Sequence, residues 1–298
     1  MPHEKKIVNL QQIKTIWIMA RIISIINDKG GVAKTTTTIN LGTALWLLGK
    51  RVLLVDTDKQ CNMTITIDRS SYKVGVSTLY DWLKDDTIAP PVYERYNGMD
   101  YIPSSIRIDE LNTWLADKVY RENYLTIRLN ALKDMYDYIL IDCAPGCNSI
   151  LNKNAIAASD GVIVPVRTDL YSVQGKDAVR TIVDEVNKMM GKNIELMGYL
   201  LTQFEKTKMG KEVQEFFRSQ PNTPVFPVPI RKCAKCNEAP KEQMSLFEYA
   251  PNSTAADDYM RLAEQITGKG TRNKKWTPTV WYKKASEAYL SFINEQEQ

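Results

Sequence analysis

The chain has 298 residues, 44% hydrophobic and 25% charged, with a net charge of +4 and a pI near 8.6, which suits a globular chain of one large α/β domain or two small ones. Its single histidine, His3, argues against histidine-based catalysis and histidine-ligated metal, and its five cysteines lack framework spacing and fit reduced thiols in a cytoplasmic protein. No apolar run is long enough to span a bilayer, and residues 7–19 are too interrupted by Asn9, Gln11, Gln12 and Lys14 for a signal peptide.

Residues 1–19 read as an N-terminal arm or leader, and Met19 could itself be a translation start. Residues 22–26 are a β-branched run that predicts a buried strand. Asn27-Asp28-Lys29-Gly30-Gly31-Val32-Ala33-Lys34-Thr35-Thr36 follows, and then an apolar-periodic helix ending at Gly49. A strand, a glycine turn and a helix opening with Lys-Thr make a cradle for phosphate. Backbone N–H groups and the helix N-terminus attract the anion, Lys34 adds a point charge, and the Thr35 hydroxyl can reach Mg²⁺. The strict G-x-x-x-x-G-K-[ST] pattern is not met, because Asp28 and Ala33 occupy its glycine positions. The competing reading is a plain glycine turn with chance lysines.

Further along, strands are predicted at 51–56, 100–103, 138–142, 161–166 and 196–201, with a proline-laced edge strand at 225–230. Helices are predicted at 78–83 (capped by Ser77), 109–116, 124–132, 173–190, 211–217 and 254–266 (capped by Ser253). This alternation predicts a doubly wound, mostly parallel sheet with helices on both faces, spanning residues 20–267. Residues 268–298 read as a linker and an amphipathic helix carrying Trp281, Ala285, Ala288, Tyr289 and Phe292. That helix has three readings: docking on its own domain or a dimer mate, contact with a partner protein, or a membrane anchor. The acidic residues Glu287, Glu295 and Glu297 weigh against the last.

Asp142 and Asp56 end predicted strands, and Asp58 lies two residues beyond. One strand-end aspartate is an ordinary turn residue; three beside a phosphate loop suggest a metal organiser and a water-positioning group. The C-x-x-C of Cys233 and Cys236 could suggest zinc or redox work, but no second ligand pair is nearby. Lys206, Lys208 and Lys211 form either a solvated face or a DNA-facing patch.

These motifs carry a resemblance. Lys29 to Thr36 resembles the deviant Walker A loop of the ParA/MinD superfamily, and Asp56-Thr57-Asp58-Lys59-Gln60-Cys61-Asn62-Met63-Thr64 resembles its D-x-D-P-Q-G-N-x-T segment. Tyr136 to Pro145 resembles Y-D-Y-I-I-I-D-C-P-P, and Glu238-Ala239-Pro240 with Phe247-Glu248-Tyr249 is similar to the end of ParA/Soj-type partition ATPases. The resemblance runs from residue 21 to residue 266.

The resemblance implies a P-loop ATPase using Mg²⁺ with ATP. It would form a sandwich homodimer, bind nonspecific double-stranded DNA at the nucleoid, and hydrolyse slowly until a ParB-like partner stimulates it. It also assigns roles. Gly30, Gly31, Val32, Ala33, Lys34, Thr35 and Thr36 would cradle the phosphates, and Lys29 would reach the mate's nucleotide. Asp58 would orient water, and Thr35, Asp56 and Asp142 would serve Mg²⁺. Lys235 would contact DNA, with Lys232, Lys206 and Lys208 as further candidates. Three departures stand out: Ala33 for Gly, and Lys59 and Cys61 for Pro and Gly. Alternatives are a MinD-like membrane-associated positioning ATPase and a weakly hydrolysing, nucleotide-dependent DNA-binding regulator.

Overall fold

The computed structural model describes residues 19–69, 75–95, 99–169 and 177–268. The predicted leader and C-terminal helix therefore lie, but for Met19 and Gly268, outside the described residues. Seven described strands form one sheet: β1 (Arg21–Ile25), β2 (Val52–Asp56), β3 (Tyr93–Glu94), β4 (Asp100–Ile102), β5 (Tyr138–Asp142), β6 (Gly161–Arg167) and β7 (Glu195–Thr202). Their order is β3-β4-β2-β5-β1-β6-β7. Every pairing is parallel except the short β3–β4 edge.

The described helices are α1 (Lys34–Leu47), α2 (Asn62–Ile67), α3 (Leu79–Lys84), α4 (Glu110–Ala116), α5 (Tyr124–Asn130), α6 (Ile150–Ala158), α7 (Asp177–Met190), α8 (Lys208–Ser219), α9 (Lys235–Glu238), α10 (Leu246–Tyr249) and α11 (Thr254–Ile266). Helices α3 to α8 cover one face of the sheet, and α1, α2, α10 and α11 cover the other. Alternate strand residues feed the two cores: Ile22, Leu53 and Ile139 point to the first, Ile23, Leu54 and Leu140 to the second. Burial on both faces is why these strands read as continuous apolar runs. Gly42 lets α1 settle on β2, since a Cβ there would lie 2.7 Å from Leu54 Cδ2.

Several elements depart from the sequence expectations. Residues 225–230 make one isolated bridge, Tyr199 with Val225, and a second, Phe204 with Arg231, follows just beyond them. Phe226 and Ile230 donate to Tyr199 and Leu201, while Val228, at the alternate position between them, makes no such bond. The cap of α3 is Thr78 rather than Ser77, and it forms a reciprocal capping box with Asp81. Helix α8 starts three residues earlier than expected because the Thr207 hydroxyl accepts from Gly210 N–H. Helices α2, α6, α9 and α10 were not anticipated. For α6 the signal was present: Ser149 caps it and Leu151, Ala155 and Ile156 recur at helical spacing.

One buried cation ties distant segments together. Arg95 donates to the Ile67 carbonyl at the end of α2, to the Gln243 carbonyl, and to Glu248 at 3.0 Å. Glu248 also completes the capping box of α10 with Ser245.

Candidate nucleotide site

Strand register pairs Asp142 with both Ile25 and Asp56, so β1, β5 and β2 end level with one another. In a parallel sheet, the crevice beyond the carboxyl ends is where ligands bind. The loop of residues 26–33 rises there from β1 and turns into α1. Gly31 and Ala33 both have left-handed backbones, with φ of 70° and 69°. Glycine adopts that region freely, while alanine pays on the order of 1 kcal/mol.

Side chains from three directions pin the loop. The Asn27 amide donates to the Pro165 carbonyl of β6 at 2.7 Å, and its carbonyl oxygen accepts from Lys29 N–H. Asp28 holds the β5–α6 connection, its carboxylate accepting from Cys147 N–H and its carbonyl from Gly146 N–H. From the other side, Thr202 donates to the Val32 carbonyl at 3.0 Å and Gln203 to the Gly31 carbonyl at 3.1 Å. Inside this frame the Lys34 ammonium donates to the Asn27 and Lys29 carbonyls at 3.1 and 2.8 Å. Burial holds its pKa below the usual lysine value, with the Asp142 carboxylate pulling the other way.

Asp142 is buried beneath α1. It accepts from Thr35 Oγ1 at 2.7 Å and from Thr38 Oγ1 at 3.3 Å. Burial, and then the neighbouring Asp56 carboxylate, push its pKa well above the ordinary range. Asp56 is also buried and is raised to about 6, chiefly by desolvation. Both Asp56 oxygens are engaged by the segment that follows: Oδ1 accepts from Asp58 N–H, and Oδ2 accepts from Thr64 N–H and Thr64 Oγ1. Thr64 Oγ1 accepts in turn from Ser104 N–H at 2.9 Å. Asp58 is 7% exposed and caps the turn by accepting from Gln60 N–H. Cys61 caps α2 with φ 52°, so the second departure from glycine also falls on left-handed backbone. Lys59 points outward to Asp109 at 2.7 Å.

Residues Gly30 to Thr36 thus stand together with Asp56, Asp58 and Asp142. Thr36, Gly31 and Ala33 also border a cavity of about 400 Å³, whose far wall includes Ile230, Lys232 and Asn237. The four lysines expected at DNA each have their own neighbours. Lys235 pairs with Glu238 at 2.7 Å, Lys232 with Glu205 at 3.1 Å, and Lys208 loosely with Glu212 at 3.9 Å. Lys206 lines a separate surface cavity with Arg231 and Arg261. Sequence reading missed Asn27, Asp28, Thr38, Thr64, Thr202 and Gln203. Asn27 and Asp28 adjoin the loop in sequence, whereas Thr202 and Gln203 meet it only through the β6–β7 pairing.

A family model described as an AAA domain matches residues 20–196. Sporulation initiation inhibitor protein Soj of Bacillus subtilis is 35% identical over 261 residues, covering 85% of this chain and all of that one. The chain belongs to the ParA/Soj family of partition ATPases. Chromosome partitioning protein ParA of Caulobacter vibrioides is 30% identical and covers 84% of this chain and 94% of its own length. Among solved structures, cobyrinic acid a,c-diamide synthase of Mycobacterium smegmatis with bound ADP and magnesium superposes with a TM-score of 0.73 at 26% identity. That match covers 87% of this ParA/Soj-family chain and all of the synthase chain.

Proposed function

We propose that this chain is the Mg²⁺·ATP-dependent ATPase of a DNA partition system, serving a plasmid or another mobile element. Its domain of residues 20–267 would act between an N-terminal arm (1–19) and a linker with C-terminal helix (268–298). One observation carries the reading: Lys34 is held under a pinned phosphate loop while Thr35 donates to the buried Asp142 at the level strand ends.

The residues suit the nucleotide and its metal. Lys34 exchanges its two carbonyl partners for phosphate oxygens, which make stronger charge-assisted bonds. Asp142 and the Thr35 hydroxyl are hard oxygen donors, and the raised pKa of Asp142 records a buried charge that a dication would relieve. Among the described residues no group of three His, Cys, Asp or Glu side chains forms an all-protein cage; Mg²⁺ suits such a site, since it keeps much of its water and shares phosphate oxygens. When bound, the ion neutralises charge on the transferring phosphoryl group. The magnesium and ADP held by the Mycobacterium smegmatis synthase support this assignment. Asp56 spends its oxygens on Asp58 and Thr64, so its role shifts from metal holding to setting the position of Asp58. Asp58 orients the attacking water, and Lys29 reaches the mate's phosphates in an ATP-bound homodimer. The 400 Å³ cavity beside Gly31 takes the nucleoside.

DNA binding falls to Lys235, Lys232, Lys206 and Lys208, of which Lys235, Lys232 and Lys208 would trade carboxylate neighbours for phosphates without reading bases. A ParB-like protein resets the dimer, and the protein works in the cytoplasm on the nucleoid. No described helix is long and apolar enough to cross a membrane. Co-sedimentation tests the reading. ATP-loaded protein pellets with DNA of any sequence, binding weakens steeply with salt, and Lys235→Ala lowers affinity uniformly with a salt slope shallower by about one. Pelleting with anionic vesicles while ignoring DNA would replace this reading with a MinD-like one. DNA binding with no turnover, partner present or absent, would favour the weakly hydrolysing regulator.

A further inference from the structure

The five cysteines divide into two groups. Cys61, Cys143 and Cys147 are buried, whereas Cys233 and Cys236 are partly exposed. These two sit on one turn: Cys236 N–H donates to the Cys233 carbonyl at 3.1 Å. Such a turn holds its end Cα atoms within about 7 Å, close to the window of about 4.4–6.8 Å that a disulfide needs. The two thiols also influence each other: burial, and next Cys233, push the Cys236 thiol up to about 12. Both residues line the 400 Å³ cavity that Gly31 and Ala33 border, and Cys236 also lines a small void against Thr35 and Thr36. Nothing in the proposed ATPase cycle uses either thiol.

We propose that Cys233 and Cys236 form a reversible disulfide, made by exchange with a low-molecular-weight disulfide, that weakens nucleotide binding in the adjoining cavity. The coupling to nucleotide rests on the reading of that cavity given above. In the first step Cys233, as thiolate, attacks one sulfur of the small disulfide. That S–S bond breaks, a thiolate leaves and takes up a proton, and a mixed disulfide remains on Cys233. Cys236 then gives its proton to solvent and attacks Cys233 Sγ, releasing the second small thiol. The protein dithiol is oxidised by two electrons, and one small disulfide is reduced to two thiols. Closure brings the sulfurs to about 2.05 Å. The cavity wall that carries Lys232, Ala234 and Asn237 has to move with them.

The test is equilibration of the full chain in reduced and oxidised glutathione. Peptide mass, native thiol counts and affinity for a fluorescent ATP analogue are then read on the same samples. Oxidised protein is expected to lose two titratable thiols, to yield a peptide linking Cys233 and Cys236, and to bind nucleotide about tenfold more weakly, with recovery on reduction. The double variant Cys233→Ser/Cys236→Ser should show a single nucleotide affinity in both buffers, whatever its value relative to the reduced protein. Thiols that stay free in the oxidised buffer, or glutathione that stays attached to Cys233, would overturn the disulfide. A disulfide that forms without changing nucleotide affinity would overturn the coupling. Reduced protein that binds no nucleotide, with the linked peptide still forming on oxidation, would instead overturn the nucleotide reading of the cavity and, with it, the coupling.

Discussion

The phosphate loop and the segment that follows β2 carry the same local irregularity and are held in different ways. Each has a non-glycine residue on left-handed backbone, Ala33 in one and Cys61 in the other. The phosphate loop is pinned from outside by β6, β7 and the β5–α6 connection. The Asp56–Thr64 segment is anchored at its two ends, by Thr57 donating to the Asp142 carbonyl and by Ser104 N–H donating to Thr64 Oγ1, while the turn between them is held by its own aspartates and by the exposed Lys59–Asp109 pair. Exposed pairs of that kind are worth little. The contrast teaches that the cradle is preorganised throughout, while the Asp58–Cys61 turn, between two anchored ends, can rearrange by giving up local bonds.

The largest effect should come from the cradle. Lys34→Ala removes the buried cation and is expected to weaken ATP binding at least about 100-fold in titration calorimetry. The circular dichroism spectrum should stay intact, because Lys34 bonds only two loop carbonyls. The other region should separate binding from turnover. Asp58→Ala is expected to keep ATP affinity and lose about 100-fold in phosphate release, accumulating as an ATP-bound dimer by light scattering. An equal loss of affinity would mean that Asp58 belongs to the cradle after all.

Acidity sharpens the comparison further, because the raised carboxylates lie between the two regions. A folded pKa of about 6 for Asp56 exceeds the unfolded value, so the folded state holds its proton more tightly. That contribution to stability is present at low pH and is lost as pH rises through about 6. Mg²⁺·nucleotide favours the ionised pair, so its affinity should climb over the same window. Thermal melts from about pH 5 to pH 7 should show the midpoint falling without ligand and the ligand-induced gain rising. A flat ligand-induced gain would remove Asp56 and Asp142 from the metal's surroundings.

The smallest effects test the two irregular residues. Ala33→Gly relieves left-handed strain and is expected to stabilise by about 0.5–1 kcal/mol in urea unfolding. Cys61→Gly relieves similar strain but empties a fully buried position, so its net change should be smaller or reversed. Equal gains would mean that the Cys61 side chain contributes no packing.

Much of this site was legible because its chemistry is local. Lys29 to Thr36 lies on one strand–turn–helix unit, and Asp142 ends an apolar run that can only be a buried strand. The β-strand pattern and α11, with its Ser253 cap, were equally readable. What escaped depends on contacts far apart in sequence or on bonds too short in range to leave a period. Gln203 reaches Gly31 across the sheet, 172 positions away. Helix α2 has too few residues to show an apolar repeat, and its start is set by the aspartates before it. The segment at 225–230 had the composition of an edge strand, yet it donates to the sheet only through Phe226 and Ile230, with no bond from Val228 between them.

The packing of α11 on α1 has a consequence for how the protein is made. Among the described helix pairs this is the most extensive contact, with Tyr259 hydrogen-bonded to Thr37 one turn beyond the phosphate loop. Helix α1 emerges early in synthesis and α11 only near the end, so the apolar flank of α1 stays uncovered until residues 254–266 exist. A growing chain can therefore lay down most of the sheet before its nucleotide loop has a finished support. Messages cut short before that point should yield products that recruit chaperones rather than bind ATP.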